Sequence, residues 1–391
     1  MKRIINVRPR VLFYAAVLTA SAICLAGCST GGESCLSSLF PTQASLVKGG
    51  GEYTDTAVIP DHSKAFPAGS DEALCMEILK EYSPESYYVL AWTWTLPNGK
   101  RMTSDILRIH RGSGQSGLAN VLKAIPTIVH ESYHYLSRNL QYRILRGKAA
   151  AYNYMAFCLK PMQPSFVWVT ASYNTKELDA IAPQAMKSAF RYNAYIIDYN
   201  MVQVEGVYGM LNEMNAYYLD CRLAVDLIRC YLEKLPVTPG NMVLAVQPYY
   251  SAYFALPEFR LFMVYYLYHA KTRYPTIYSG VMTNWPFKKT NQELVARFTG
   301  VIAEFETEMT RFKPILEQKG ITIVYSRDLM LFNSGSSGTG AGTMKSKWDI
   351  VSKELENPQY SEILAELGKI EPAPALTAPA ATVPARQPVA R

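Results

Sequence analysis

Leu118–Arg146 reads LANVLKAIPTIVHESYHYLSRNLQYRILR, and this stretch decides the fold. Apolar residues recur at helical spacing, so the run predicts one helix, with Pro126 restricting its start. A helix places His130 and His134 one turn apart on the same face, where two imidazoles can hold a single metal ion. Glu131 stands beside the first histidine, within reach of a water on the open side of such an ion. Ser132, Tyr133 and Tyr135 are uncharged, Leu136 is apolar and Thr127-Ile128-Val129 leads in, as expected of a helix buried behind a metal.

Around this helix the chain reads as mainly α (α+β), with a small β-hairpin or sheet component. Tyr87–Leu96 (YYVLAWTWTL) and Arg101–Ile109 flank Pro97-Asn98-Gly99-Lys100 and predict a hairpin. Phe166–Thr170 predicts a short strand, placed so that it could pair with an extended peptide as an edge strand. A long, interrupted helical stretch runs from about Ile181 to Glu233, and another from about Pro257 to Thr272. Thr290 and Glu293 form a capping-box pattern opening a helix to about Gln318, closed by Lys319-Gly320. Ile321–Ser326 predicts a last strand and Lys345–Ile370 an amphipathic helix, while Asn333–Thr343 (NSGSSGTGAGT) reads as a flexible insertion.

The HExxH pattern of His130, Glu131 and His134 resembles that of zinc metallopeptidases. Metzincin spacing is excluded, because Ser137 and Leu140 stand where that class has glycine and histidine. The segment Asn212-Glu213-Met214-Asn215-Ala216 resembles the part of gluzincins, the thermolysin-like families, that carries the third ligand. The resemblance covers about 25 residues. It implies a zincin-like catalytic domain, one Zn²⁺ per chain held by His130, His134 and Glu213, and Glu131 as general base on a peptide or protein substrate. Glu205 is the alternative ligand, about 80° away around the helix. Where gluzincins carry an acid that orients a ligand histidine this chain has Tyr217, and Asp220, one further turn along, can take that role. For the oxyanion or its proton, Tyr265, Tyr266, Tyr268 and His269 are candidates, with His269 preferred. The alternative function is that of a zincin-like binding or structural lipoprotein without turnover.

The 391 residues are 49% hydrophobic and 18% charged, with 39 Lys+Arg against 32 Asp+Glu, which excludes a collagen-like fibre or a small disulfide scaffold. Lys2, Arg3, Arg8 and Arg10 supply four of the seven net positive charges, and no acid precedes Glu33. The remainder is too weakly basic for a nucleic-acid footprint. Basic residues to Arg10, an apolar run over Val11–Leu25 and then Leu25-Ala26-Gly27-Cys28 have the order of a secretion signal. The last four residues resemble the lipobox of bacterial lipoproteins, implying cleavage before Cys28 and its acylation. Ser29 resembles the pattern of lipoproteins sent to the outer membrane of a diderm cell. The expected organisation is a lipoprotein signal over residues 1–27, a tether over 28–64, a zincin-like domain over 65–370 and a Pro/Ala-rich tail over 371–391. Cys35, Cys75, Cys158, Cys221 and Cys230 are an odd number, so at least one is unpaired within a monomer. No Gly-rich phosphate loop, Gly-x-Ser-x-Gly elbow or Cys-x-x-Cys pair occurs.

Overall fold

The computed structural model describes residues 51–111, 117–145, 154–198 and 200–369. The expected signal, Cys28, the first part of the tether and the tail over 371–391 lie outside the described residues. The elements are β1 (Gly51–Glu52), α1 (Asp71–Tyr82), α2 (Pro84–Thr93), α3 (Gly99–Arg111), α4 (Leu118–Leu145), β2 (Tyr154–Cys158) and β3 (Pro164–Trp168). After a 3₁₀ turn, Thr175–Ala180, come α5 (Gln184–Lys187), a π-helical turn over Asn193–Ile197, α6 (Met201–Glu205) and α7 (Val207–Lys234). Then follow α8 (Pro239–Ala252), α9 (Ala255–Arg273), α10 (Pro275–Met282) and α11 (Trp285–Gln318). The chain closes with β4 (Thr322–Ser326), β5 (Leu329–Ser334), β6 (Ser337–Gly342), α12 (Lys345–Leu355) and α13 (Ser361–Gly368). The fold is thus mainly helical, with two three-stranded antiparallel sheets ordered β1-β3-β2 and β4-β5-β6.

The centre is α7, which packs against α4, α8, α9 and α11. Of its 28 residues 21 are buried, so it meets neighbours on nearly every side. Asn212, Glu213, Asn215 and Asp220 are among them, and buried polar groups cost free energy unless partnered. Against it lies α4, through which the chain runs unbroken past Pro126. Ile125, Ile128, Val129, Tyr133, Leu136 and Leu140 line its buried side.

Several elements differ from the sequence expectation. The predicted hairpin is a pair of helices, α2 and α3. Tyr88 to Trp92 and Trp94 are all buried, so the bulk that suggested strands fills a helical core instead. Asn98 takes the left-handed conformation at φ 64°, and a Cβ on Gly99 would lie 1.9 Å from the Thr93 carbonyl oxygen. The Asn-Gly pair therefore turns a tight helix–helix elbow, closed by Trp94 Nε1 donating to Thr103 Oγ1 at 2.8 Å.

Part of the expected tether is tied down: β1 pairs with β3, the Asp55 amide donates to the Met162 carbonyl at 2.6 Å, and His62 packs edge-on to Trp94. Strand β3 confirms the strand near Phe166, but it is the middle strand of its sheet rather than an edge strand, with β2 along one side and β1 pairing with Ser165 and Phe166 on the other. The Gly/Ser-rich insertion contains β6, paired with β5 from Leu329–Gly342 to Ser334–Ser337, so β4 is not the last strand. The stretch after Ile181 is broken into short turns before Gly206. Asn284, whose side chain accepts from the Phe287 amide, caps α11, so Thr290 lies inside that helix, which does end at Gln318 with Gly320 at φ 75°. The last amphipathic helix is divided at Asn357-Pro358.

Candidate metal centre

Both histidines project from α4 toward α7. His130 Nε2 lies 3.2 Å from His134 Nε2, and Glu213 Oε2 lies 3.3 Å from His134 Nε2 and 3.8 Å from His130 Nε2. The centre of this triangle is about 2.0 Å from all three atoms, the bond length of nitrogen and oxygen ligands to a small divalent cation. Glu205, the alternative ligand, is committed elsewhere, pairing with Arg138 at 3.3 Å.

What orients the ligands comes from α7. His130 Nδ1–H donates to Asp220 Oδ2 at 2.9 Å, and His134 Nδ1–H donates to Asn212 Oδ1 at 2.7 Å. Each bond fixes the tautomer that leaves the Nε2 lone pair facing the other ligands. Asn212 is itself held, its amide donating to Tyr133 Oη and Ser137 Oγ, both at 3.0 Å. Glu213 Oε2 accepts from the Tyr195 hydroxyl at 3.0 Å, and Tyr195 Oη lies 3.0 Å from Tyr217 Oη. The Tyr217 ring stands edge-on to His130 at 4.9 Å and carries the Arg191 guanidinium 4.0 Å from its centroid. Arg191 is paired in turn with Glu258 at 2.7 Å, with both side chains almost wholly buried.

The electrostatics are those of a buried acid–base cluster. Burial pushes the His130 imidazole down, but the adjacent Asp220 carboxylate, with Glu213, outweighs it and holds its pKa well above the usual histidine value. Burial raises Glu213, and the His134 and His130 imidazoles more than offset this, so it stays ionised far below the usual carboxylate range. Burial raises Glu131, against the opposing influence of the two histidines. Its carboxylate makes no hydrogen bond to any described residue, which leaves it available to a molecule in the site.

The structure thus brings together His130, Glu131, His134, Glu213, Asp220 and Tyr217. His269 is not among them. It sits ten residues beyond Phe259, the α9 residue that touches Tyr195 and Tyr217, and therefore about 15 Å along the helix. There it packs against Tyr173 and Tyr274. Tyr266 is also occupied, its hydroxyl accepting from the Tyr173 amide at 2.8 Å. Sequence reasoning missed Asn212 as the partner of His134, although its place beside Glu213 was a signal. It missed Tyr195 and Arg191 because they lie in an irregular segment without periodicity.

The buried group of His130, His134 and Glu213 can hold a metal ion. Comparison with protein-family models, curated proteins and solved structures finds no match to this chain.

Proposed function

We propose that this chain is a zinc-dependent peptidase of the cell envelope, anchored by lipid on Cys28 and acting on peptide or protein substrates. The observation that carries the reading is the triangle of two imidazoles and a carboxylate with the unbonded carboxylate of Glu131 next to it. Two nitrogens and one oxygen suit zinc, and a catalytic zinc site keeps its fourth position open. When bound, zinc supplies a Lewis acid and brings the pKa of water toward neutrality.

The chain's own groups do the rest. Glu131 takes a proton at its carboxylate from the water that attacks the scissile carbonyl, then passes it to the leaving amine. Asp220 and Asn212 hold the two imidazoles at fixed angles, and Tyr195 restrains Glu213. The Tyr217 ring, backed by Arg191, packs against His130.

The test is chelator-sensitive cleavage of a broad peptide mixture by the wild type, lost in Glu131→Gln while zinc is retained. If the two proteins are equally inert, the enzyme reading falls and that of a binding lipoprotein replaces it. Anchoring is tested by mass spectrometry of the N-terminal peptide: Cys28→Ala should abolish acylation and release the chain from membranes. In a diderm host the expected membrane is the outer one.

A further inference from the structure

A second site lies on another face of α9. Arg260 follows Phe259, so its side chain leaves the helix about 100° around from the one that touches the metal centre. It enters a cavity of about 280 Å³ between α9, α11 and α13. The walls are Met263 and Val264 of α9, Val295 of α11, and Leu364 and Leu367 of α13. Gln292 pins α13 to α11 by donating to the Leu367 carbonyl at 2.6 Å, so the third wall is fixed.

Of the polar side chains that line this space, Gln292 is engaged and Arg260 lacks a partner. Arg260 makes no hydrogen bond or ion pair with any described residue. The acids of the bordering helices α11 and α13 have partners of their own: Glu362 with Lys271 at 2.6 Å, Glu366 with the Tyr278 hydroxyl at 2.6 Å, and Glu293 with Lys160 at 2.8 Å. Burial pushes the guanidinium down from its ordinary value, and no neighbouring charge opposes this. An unpaired cation in an apolar cleft carries a desolvation cost that an anionic ligand removes.

We propose that this cavity binds a small carboxylate with a branched apolar side group, of the kind found at the C-terminal residue of a peptide or in an N-acyl amino acid. The carboxylate pairs with the Arg260 fork, and the side group fills the space among Val264, Val295 and Leu364. The volume suits one residue rather than an extended peptide. The site is separate from the metal centre and does not depend on its chemistry.

The test is calorimetric titration of the full chain in nonionic detergent with N-acetyl-leucine, N-acetyl-leucinamide and acetyl-Gly-Gly-Leu. The acid should bind with a Kd below about 1 mM, and the amide at least tenfold more weakly. Arg260→Gln should reduce acid binding at least tenfold with its melting temperature preserved. Binding of acetyl-Gly-Gly-Leu as well identifies a peptide C-terminus as the ligand; its exclusion identifies a free N-acyl amino acid. No saturable binding of the acid, or equal binding of acid and amide, overturns the proposal, and that comparison needs no variant to fold. Unchanged binding in a folded Arg260→Gln protein overturns it too.

Discussion

Replacing Asp220 by Asn keeps the shape of the side chain and removes one buried negative charge. Asp220 Oδ2 accepts from His130 Nδ1 at 2.9 Å, and its other oxygen has no partner. That carboxylate lies about 7 Å from the centre of the ligand triangle, where, at an effective dielectric of about 20, it attracts each unit of positive charge by about 2 kcal/mol. The amide can still accept through Oδ1, so the ring keeps its direction and the loss is chiefly of charge. Partners of this kind typically contribute 10–100-fold to metal affinity, about 1.4–2.7 kcal/mol, and the electrostatic figure falls inside that range. Asp220→Asn should therefore bind zinc about 30-fold more weakly in a chromophoric chelator competition. Circular dichroism should show its helical content unchanged. His134→Ala provides the lower limit. An Asp220→Asn affinity within about twofold of the wild type, with His134→Ala binding nothing, would refute the idea that this carboxylate tunes the site.

The remaining predictions concern stability. Glu258→Gln leaves the Arg191 cation buried without its counter-charge and should cost about 3–5 kcal/mol in urea unfolding, most of it recovered in Arg191→Met/Glu258→Leu. Gly206, at φ 61° and ψ −132°, joins α6 to α7, and a Cβ there would lie 2.6 Å from Tyr266 Oη. Gly206→Ala should lower stability by about 2–4 kcal/mol, read as a drop in melting temperature. Burial of Glu85 raises its pKa to about 7, and the charge of Asp226 adds to this. Its folded form thus holds a proton that the unfolded chain has lost, so its contribution is full below about pH 4.5 and is lost as pH rises to about 7. Glu85→Gln should be more stable than the wild type at pH 8 by up to about 3 kcal/mol, with the gap closing by pH 4 in chemical denaturation.

The candidate metal centre is legible in the sequence because its two histidines obey helical arithmetic: the four-residue spacing of His130 and His134 survives any packing. Glu213 and Asp220 share the spacing logic of α7, and their burial together with Asn212 and Asn215 marks that helix as more than a core element. The hairpin reading failed because Tyr88 to Trp92 are bulky, and bulk suits a strand or a fully buried helix equally; only contact with α4 decides between them. The Gly/Ser run after Phe332 was misread for the opposite reason, since β6 is held by its backbone pairing with β5 and its small side chains carry no pattern. Residues such as Tyr195 and Arg191 act through contacts with α7 and α9 that form only once those helices are in place, so no local signal announces them.

The described cysteines, Cys75, Cys158, Cys221 and Cys230, are all free, and no covalent bridge links the described elements. An ion held between His134 and Glu213 would be such a bridge, joining α4 to α7 across about 80 residues of intervening chain. In polymer terms, closing a loop of that length removes about 4–5 kcal/mol of unfolded-state entropy, comparable to a long-range disulfide. Loading the site would then act as a reversible staple, making resistance to unfolding a function of the free metal concentration around the protein.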